Sequence, residues 1–187
     1  MSETPFKLTL HMVSSLDGMI ASKDNNMSWF ETTDKYDNGV NGQDIEAFLK
    51  TIDCYVMGSR TYEQALELSK NYGWAYGDTP TIVLSKRKLT IDRTSVKLFG
   101  GSINELVTDI LLPNYKNVWL VGGPTIAAAF IKSKLVDEIR ISILPIILGD
   151  GLPFFSHPIQ QQSLHLLDCI AYKNGMIELC YEIKKDQ

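Results

Sequence analysis

The spacing of apolar residues predicts strands at both ends of the chain. Segment 6–13 alternates apolar and polar residues at Phe6, Leu8 and Leu10, which is the period of a strand with one buried face. Segment 138–144 alternates isoleucine with polar residues, so one of its faces is expected to meet solvent, a pattern commoner in antiparallel pairing. Asn174 and Gly175 form a strong two-residue turn signal before the alternating segment 177–183. The chain is therefore expected to end in an antiparallel hairpin.

The middle of the chain combines short apolar runs with segments of helical spacing. Strands rich in β-forming residues are predicted at 54–57, 81–84 and 118–121. Helices are predicted for a short segment opening near Asp44 and for 61–69, 102–111 and 124–131. Ser102 and Glu105 fit a capping box at the start of the third of these. This order predicts a single three-layer α/β domain over residues 1–187, with helices flanking a mixed, mostly parallel sheet.

Two glycines follow the strand at 118–121 directly and precede a helix. Gly122 and Gly123 permit a positive φ and the close approach of a ligand or another backbone, while Pro124 suits the first helical position. The N–H groups of Gly123, Thr125 and Ile126 would then face outward, where the helix dipole stabilises an anion such as a pyrophosphate. Because the full dinucleotide fingerprint is missing, a tight turn without a ligand is the alternative.

Composition narrows the class of protein and its partners. The chain of 187 residues is 44% hydrophobic and 21% charged, which is typical of an ordinary globular domain. A net charge of −4, no basic cluster beyond residues 86–88 and no apolar run of membrane-spanning length predict neither nucleic-acid nor membrane partners. The N-terminus has neither a basic leader nor an apolar signal core, so a cytoplasmic location is expected. Cys54, Cys169 and Cys180 lie far apart, which predicts reduced core thiols and no metal site.

Five short motifs, taken in order, resemble the dihydrofolate reductase-like superfamily. They are Ser15-Leu16-Asp17-Gly18, Val56-Met57-Gly58-Ser59-Arg60-Thr61-Tyr62-Glu63, Val121-Gly122-Gly123, Leu135-Val136-Asp137-Glu138 and Leu148-Gly149-Asp150-Gly151. The match runs from Phe6 to the hairpin and is closer to the reductase domain of bifunctional riboflavin-biosynthesis deaminase-reductases. The resemblance implies a dihydrofolate-reductase-like fold, NADPH as the hydride donor, a small heterocyclic substrate and a homodimer.

The resemblance also implies a set of cofactor-binding residues. They are Val13, Leu16, Gly18 and Met19 at the nicotinamide, Gly58, Ser59, Arg60, Thr61, Val121, Gly122, Gly123, Thr125 and Ile126 at the pyrophosphate, and Leu84, Ser85, Lys86 and Arg87 on the adenosine side. A 2′-phosphate needs a cation, for which Arg60, Lys86 and Arg87 are available. The family usually has arginine directly after the glycine that is Gly58 here, whereas this chain has Ser59.

Two carboxylates are candidates for a catalytic role. Asp17, in the loop after the first strand, either contacts the substrate or belongs to an Asp-Gly turn. Asp44 lies where dihydrofolate reductases place the carboxylate that grips the pteridine and assists protonation, or is an ordinary acid at a helix N-terminus. The leading interpretation is an NADPH-dependent reductase most like 5-amino-6-(5-phosphoribosylamino)uracil reductase. A dihydrofolate reductase proper and a non-catalytic NADP-binding protein are the alternatives.

Overall fold

The computed structural model describes residues 6–24, 28–30, 49–155 and 158–184. The strands are β1 (Lys7–Ser15), β2 (Met19–Ser22), β3 (Cys54–Gly58), β4 (Thr81–Leu84), β5 (Val96–Phe99), β6 (Asn117–Gly122), β7 (Glu138–Leu144), β8 (Gly151–Pro153), β9 (Leu164–Ala171) and β10 (Ile177–Ile183). The helices are α1 (Ser59–Tyr72), α2 (103–114) and α3 (Pro124–Lys132), and Ser28–Phe30 is a 3₁₀ turn. Within α2, residues Leu106–Leu111 are wound as a π-helix. Strands and helices alternate through the middle of the chain, as its spacing of apolar residues predicts.

Eight strands form one mixed sheet in the order β5-β4-β3-β6-β1-β7-β10-β9, and β2 pairs with β8 in a separate ribbon. The six strands from β5 to β7 in that order are parallel, whereas β10 is antiparallel to both β7 and β9. The chain starts at β1 near the centre, moves out to β5, and returns to place β6 between β3 and β1. Six parallel strands followed by an antiparallel hairpin confirm the predicted sheet.

Helices cover both faces of this sheet, so the domain has three layers. On one face α2 and α3 pack against the strands through a core that contains Leu8, Leu10, Val56, Val118, Leu120, Leu106, Leu111, Ala127 and Phe130. On the other face α1 packs through a smaller core around Tyr55, Met57, Tyr62, Val83 and Val96. Each core is built from alternate residues of the same strands, because successive side chains on a strand point to opposite faces. Both faces of the central parallel strands are therefore buried.

The polar face of β7 is not a solvated face, contrary to the expectation from its alternation. Arg140 donates from Nη1 to Glu178 Oε1 on β10 at 2.6 Å, and Glu178 is buried. Ser142, also buried, lies 3.0 Å from Nε2 of His11, whose ring stacks on Trp119. Burial, with a smaller contribution from the charge of Arg140, lowers the pKa of His11 to about 3, so its imidazole is neutral near pH 7. Alternation reveals the two faces of a strand but not what covers them.

Some predictions of local structure are incomplete. The pattern does not predict β2, β5 or β8, which have only three or four residues each and are defined by their partner strands. The prediction of three core thiols is wrong for Cys169, which is exposed on β9. Cys54 and Cys180 are buried, and desolvation raises the pKa of Cys54 to about 12. The short helix expected near Asp44 lies outside the described residues. No helix in the described part of the chain is long and apolar enough to cross a membrane.

Candidate functional site

The carboxyl ends of β3 and β6 are neighbours at one edge of the sheet. Both strands end in glycine; α1 starts at the next residue, and α3 starts after one further glycine, Gly123. The connections diverge here. From β3 the chain continues through α1 to β4 on one side, whereas from β6 it continues through α3 to β7 on the other side. In open α/β sheets, ligands bind beyond the carboxyl ends of the strands at such a point. The candidate site is therefore at the glycine turns that follow β3 and β6, and not at the amino ends of the strands.

The helices α1 and α3 both begin without a protein cap. Their N-cap residues, Gly58 and Gly123, have no side chain to accept a hydrogen bond from the first turn, and no capping bond is made in the described part of the chain. The helix α2 differs, because Ser102 Oγ accepts from the N–H of Glu105 and Glu105 Oε2 accepts from the N–H of Ser102. The first N–H groups of a helix have no partner within it. Two adjacent helix ends therefore present donors to whatever lies beyond the sheet edge.

The glycines at this edge differ in what requires them. A Cβ on Gly58 would lie 2.7 Å from Cδ1 of Ile126, so this glycine lets α1 and α3 pack closely. Gly122 has φ +114°, and a Cβ there would lie 2.6 Å from Sδ of Met12. Gly123 has φ −78°, and its nearest neighbour would be Thr61 Oγ1 at 3.4 Å, an ordinary van der Waals contact. The expectation of a positive φ is thus confirmed for Gly122 only.

Close contacts with other side chains explain Gly58 and Gly122, whereas Gly123 has no contact of that kind with non-neighbouring residues in the described part of the chain. The peptide bond between the two adjacent glycines is cis. Gly123 is itself the N-cap residue of α3, which has no side-chain cap. These residues fit a pyrophosphate, because backbone donors, a positive helix end and space for a close approach are found together.

The loop after β1 is fixed to the segment that follows β7. Leu16 donates from its N–H to the carbonyl oxygen of Ile146 at 2.8 Å, and Phe154 donates to the carbonyl oxygen of Gly18 at 2.8 Å. Met19, the first residue of β2, donates from its N–H to Ser15 Oγ at 2.9 Å. Leu16 is nevertheless 64% exposed. A large apolar side chain is therefore held in solvent on a rigid loop, at the end of the strand next to β6.

Asp17 binds the protein's own backbone with both carboxylate oxygens. Its Oδ1 accepts from Ser15 Oγ at 2.6 Å and from the N–H of Leu148 at 3.1 Å, and its Oδ2 accepts from the N–H of Gly149 at 2.7 Å. These hydrogen bonds, that from Ser15 first, hold the pKa of Asp17 at about 2. A carboxyl group with that pKa is ionised at neutral pH and has no proton to donate. The Asp-Gly turn is present, with the N–H of Gly18 donating to the carbonyl oxygen of Ser15 at 3.0 Å, and a substrate contact of Asp17 stays a prediction.

Arg87, in the loop after β4, reaches the start of α1. Its Nη2 lies 3.1 Å from Ser59 Oγ and 3.0 Å from each carboxylate oxygen of Glu63. Ser85 holds the backbone of the same loop, since its Oγ accepts from the N–H of Arg87 and donates to the Arg87 carbonyl oxygen. A guanidinium group therefore lies beside Ser59, the position at which the resembling family usually has arginine.

Most of the predicted cofactor-binding residues lie near this edge of the sheet, but they do not all contact one another. Val13, Leu84 and Val121 lie in the last three residues of β1, β4 and β6, and each is half-buried. Arg60, Lys86 and Thr125 are exposed around them. Asp44 lies outside the described residues. Glu63 is not among the predicted site residues, although it ends the motif that contains Gly58, and only its contact with Arg87 draws attention to it.

Comparison with known proteins gives the chain a family. A profile of the RibD C-terminal domain matches residues 6–177. This chain belongs to the RibD C-terminal domain family. The uncharacterized protein YwjB of Bacillus subtilis (strain 168) is 27% identical over 161 residues, which cover 86% of this chain and 88% of YwjB. The riboflavin biosynthesis protein RibD of Corynebacterium ammoniagenes is 22% identical over 167 residues, covering 81% of this chain and only 47% of RibD.

Solved structures agree with the family in fold. A riboflavin biosynthesis protein of Shewanella sp. PV-4 superposes with a TM-score of 0.81 at 23% identity, covering 96% of this chain and all of its own. The Thermotoga maritima diaminohydroxyphosphoribosylaminopyrimidine deaminase/5-amino-6-(5-phosphoribosylamino)uracil reductase gives a TM-score of 0.66 at 13% identity, with 97% of this chain and 57% of its own covered. The dihydrofolate-reductase-like fold expected from the sequence is thereby confirmed. The chain covers about half the length of these larger relatives.

Proposed function

We propose that this protein is an NADPH-dependent reductase that transfers a hydride to a small heterocyclic substrate, most like 5-amino-6-(5-phosphoribosylamino)uracil reductase. The observation that carries the proposal is the pair of uncapped helix N-termini at Gly58 and Gly123, one of which has a bare Cα that packing does not require. Membership of the RibD C-terminal domain family supports the reaction class. A bound nicotinamide would supply the hydride.

The residues at the sheet edge have distinct roles in this proposal. The N–H groups at the starts of α1 and α3, with Thr61 beside Gly123, bind the pyrophosphate. Leu16, held on its fixed loop, covers one side of the nicotinamide and keeps water from it. Asp17 is a positioning residue, because it accepts hydrogen bonds from the N–H groups of residues 148 and 149, which fix that loop, and a third from Ser15 within the loop. Holding the two rings in register is the protein's main contribution to a hydride transfer.

A second candidate is a protein that binds NADP without reducing a substrate. It is favoured by the state of Asp17, a candidate catalytic carboxylate that is ionised and hydrogen-bonded within the protein. A dihydrofolate reductase proper depends instead on Asp44. Substituting Asp44 by asparagine and measuring turnover with dihydrofolate tests that alternative directly, since loss of turnover with unchanged NADPH affinity is expected only if this carboxylate acts on the substrate.

Binding and turnover have to be measured separately. Isothermal titration with NADPH tests the cofactor site, and the loss of NADPH absorbance with 5-amino-6-(5-phosphoribosylamino)uracil tests the reaction. We expect both signals. Binding without oxidation of NADPH by this substrate or by dihydrofolate would support the non-catalytic alternative. Failure to bind NADPH at any concentration that saturates related reductases would contradict the proposal as a whole.

We also propose that the protein is a homodimer that uses its edge strand. Leu164, Leu166 and Leu167 on β9 are 42–49% exposed, and β9 is the last strand of the sheet. An exposed apolar edge strand favours association with another chain, because its outer backbone groups lack a strand partner. Light scattering is expected to give twice the chain mass, and Leu166→Glu is expected to give a monomer. A monomeric wild-type protein would contradict this proposal.

A further inference from the structure

The ion pair between Glu63 and Arg87 lies at the adenosine end of the proposed cofactor site. Glu63 is one helical turn after Ser59 on α1, so both side chains face the loop that carries Arg87. The carboxylate approaches a single nitrogen of the guanidinium, with both oxygens 3.0 Å from Nη2. Within the described part of the chain, Nη1 and Nε of Arg87 make no hydrogen bond. The guanidinium thus keeps donors for a second anion.

We propose that Glu63 sets the cofactor preference of this site by competing with the 2′-phosphate of NADPH for the Arg87 guanidinium. That guanidinium lies beside Ser59, the position at which the family usually has arginine. The inference rests on the proposed function and identifies Arg87 as the specificity-determining cation. Glu63 is a positioning residue that also opposes the bound phosphate.

The geometry explains both parts of this role. Hydrogen bonds to Ser59 Oγ and Glu63, together with the turn made by Ser85, hold Arg87 in place before any ligand arrives. A 2′-phosphate has to share that cation with a carboxylate already in contact with it, and like charges around one cation repel. NADH lacks the 2′-phosphate, so its binding does not depend on this competition. Glu63 therefore lowers the affinity for NADPH and leaves that for NADH unchanged.

The exposure of the pair limits the size of the effect. The side chains of Arg87 and Glu63 are 59% and 46% exposed, so solvent and salt screen their attraction. Breaking an ion pair of this kind has little effect on folding, which allows substitution without loss of structure. Glutamine at position 63 keeps an oxygen that accepts from Arg87 while removing the charge. Glu63→Gln is therefore the informative variant.

Dissociation constants for NADPH and NADH, measured by titration calorimetry at low and high salt, test the inference. For Glu63→Gln we expect NADPH to bind about two- to fivefold more tightly and NADH to be unchanged, the range that corresponds to an exposed ion pair. For Arg87→Gln we expect NADPH to bind about tenfold or more weakly, because charge-assisted hydrogen bonds to the phosphate are lost. In the double variant the effect of Glu63→Gln should disappear. The gain from Glu63→Gln should shrink at high salt.

A matched control lies on the same helix. Glu67 forms an exposed ion pair with Lys70 on α1, and Glu67→Gln removes the same charge away from Arg87. This control should change neither dissociation constant. Equal tightening of NADPH and NADH by Glu63→Gln, or no change for NADPH, would overturn the inference while leaving the proposed function intact. A wild-type protein that binds neither dinucleotide would instead overturn the proposed function, and this inference with it.

Discussion

Replacing Gly123 by alanine separates a ligand site from a turn that exists only for packing. The residue has φ −78° and ψ −164°, values that an alanine adopts without strain. Apart from its two chain neighbours, the one atom that a new Cβ would touch in the described part of the chain is Thr61 Oγ1, at 3.4 Å. At such a position, Gly→Ala stabilises by about 0.4–1 kcal/mol through the unfolded chain. We therefore expect the free energy of unfolding of Gly123→Ala to stay within about 1 kcal/mol of wild type.

Cofactor binding should respond differently, because the new methyl group occupies space that a pyrophosphate needs. Overfilling a packed contact costs about 1–3 kcal/mol. An energy of that size corresponds to a loss of affinity of about five- to 150-fold. Calorimetric titration with NADPH well below the melting temperature gives the affinity of the folded protein, and urea denaturation gives its stability. Reduced binding by a protein of unchanged stability is the expected result.

Gly122→Ala is the matched control, one residue earlier on the same turn. Gly122 has φ +114°, and its Cβ would lie 2.6 Å from Sδ of Met12, so stability should fall by about 1–3 kcal/mol from backbone strain alone. Wild-type NADPH affinity in Gly123→Ala would remove the turn from the site. A marked loss of stability in Gly123→Ala would show instead that the protein itself needs this glycine, and the reasoning from packing would be wrong.

Three further predictions concern the framework around the site. The folded pKa of Asp17, about 2, lies below its ordinary value of 3.8. The stability that its charge contributes is therefore present above about pH 4 and is lost as the pH falls to about 2. Urea denaturation should show that the stability difference between wild type and Asp17→Asn vanishes at low pH. Arg140→Met should destabilise the protein by about 3–5 kcal/mol, because Glu178 stays buried without its cation. Adding Glu178→Leu should recover much of this loss. Additive losses in the double-mutant cycle would contradict the assigned ion pair. Ser102→Ala should destabilise by about 1 kcal/mol in urea denaturation because α2 loses its N-cap, and no change would mean that the capping box contributes nothing.

Local signals along the chain determine most of the elements and their order, although not the short strands β2, β5 and β8. The capping box of Ser102 and the turn signal at Asn174 and Gly175 act over two to four residues, so neither needs the rest of the protein to be recognised. The apolar runs at 54–57, 81–84 and 118–121 indicate the parallel core, because strands buried on both faces are mostly apolar, and the alternation after Asn174 and Gly175 indicates the antiparallel finish. The residue types at 122–124 likewise suffice to mark the start of a helix, since two glycines and a proline end the strand and suit the first helical turn.

The roles of single residues at the edge are decided by contacts between distant parts of the chain. The sequence shows glycine at positions 58, 122 and 123 alike, but only the approach of Ile126 and Met12 shows that two of them serve packing. Asp17 holds its loop because Leu148 and Gly149 lie beside it, more than 130 positions away. These distinctions depend on which atoms the fold brings within about 3–4 Å, a distance at which van der Waals contact and hydrogen bonding act. A pattern of residue types carries no such distances, so tertiary structure alone assigns these roles.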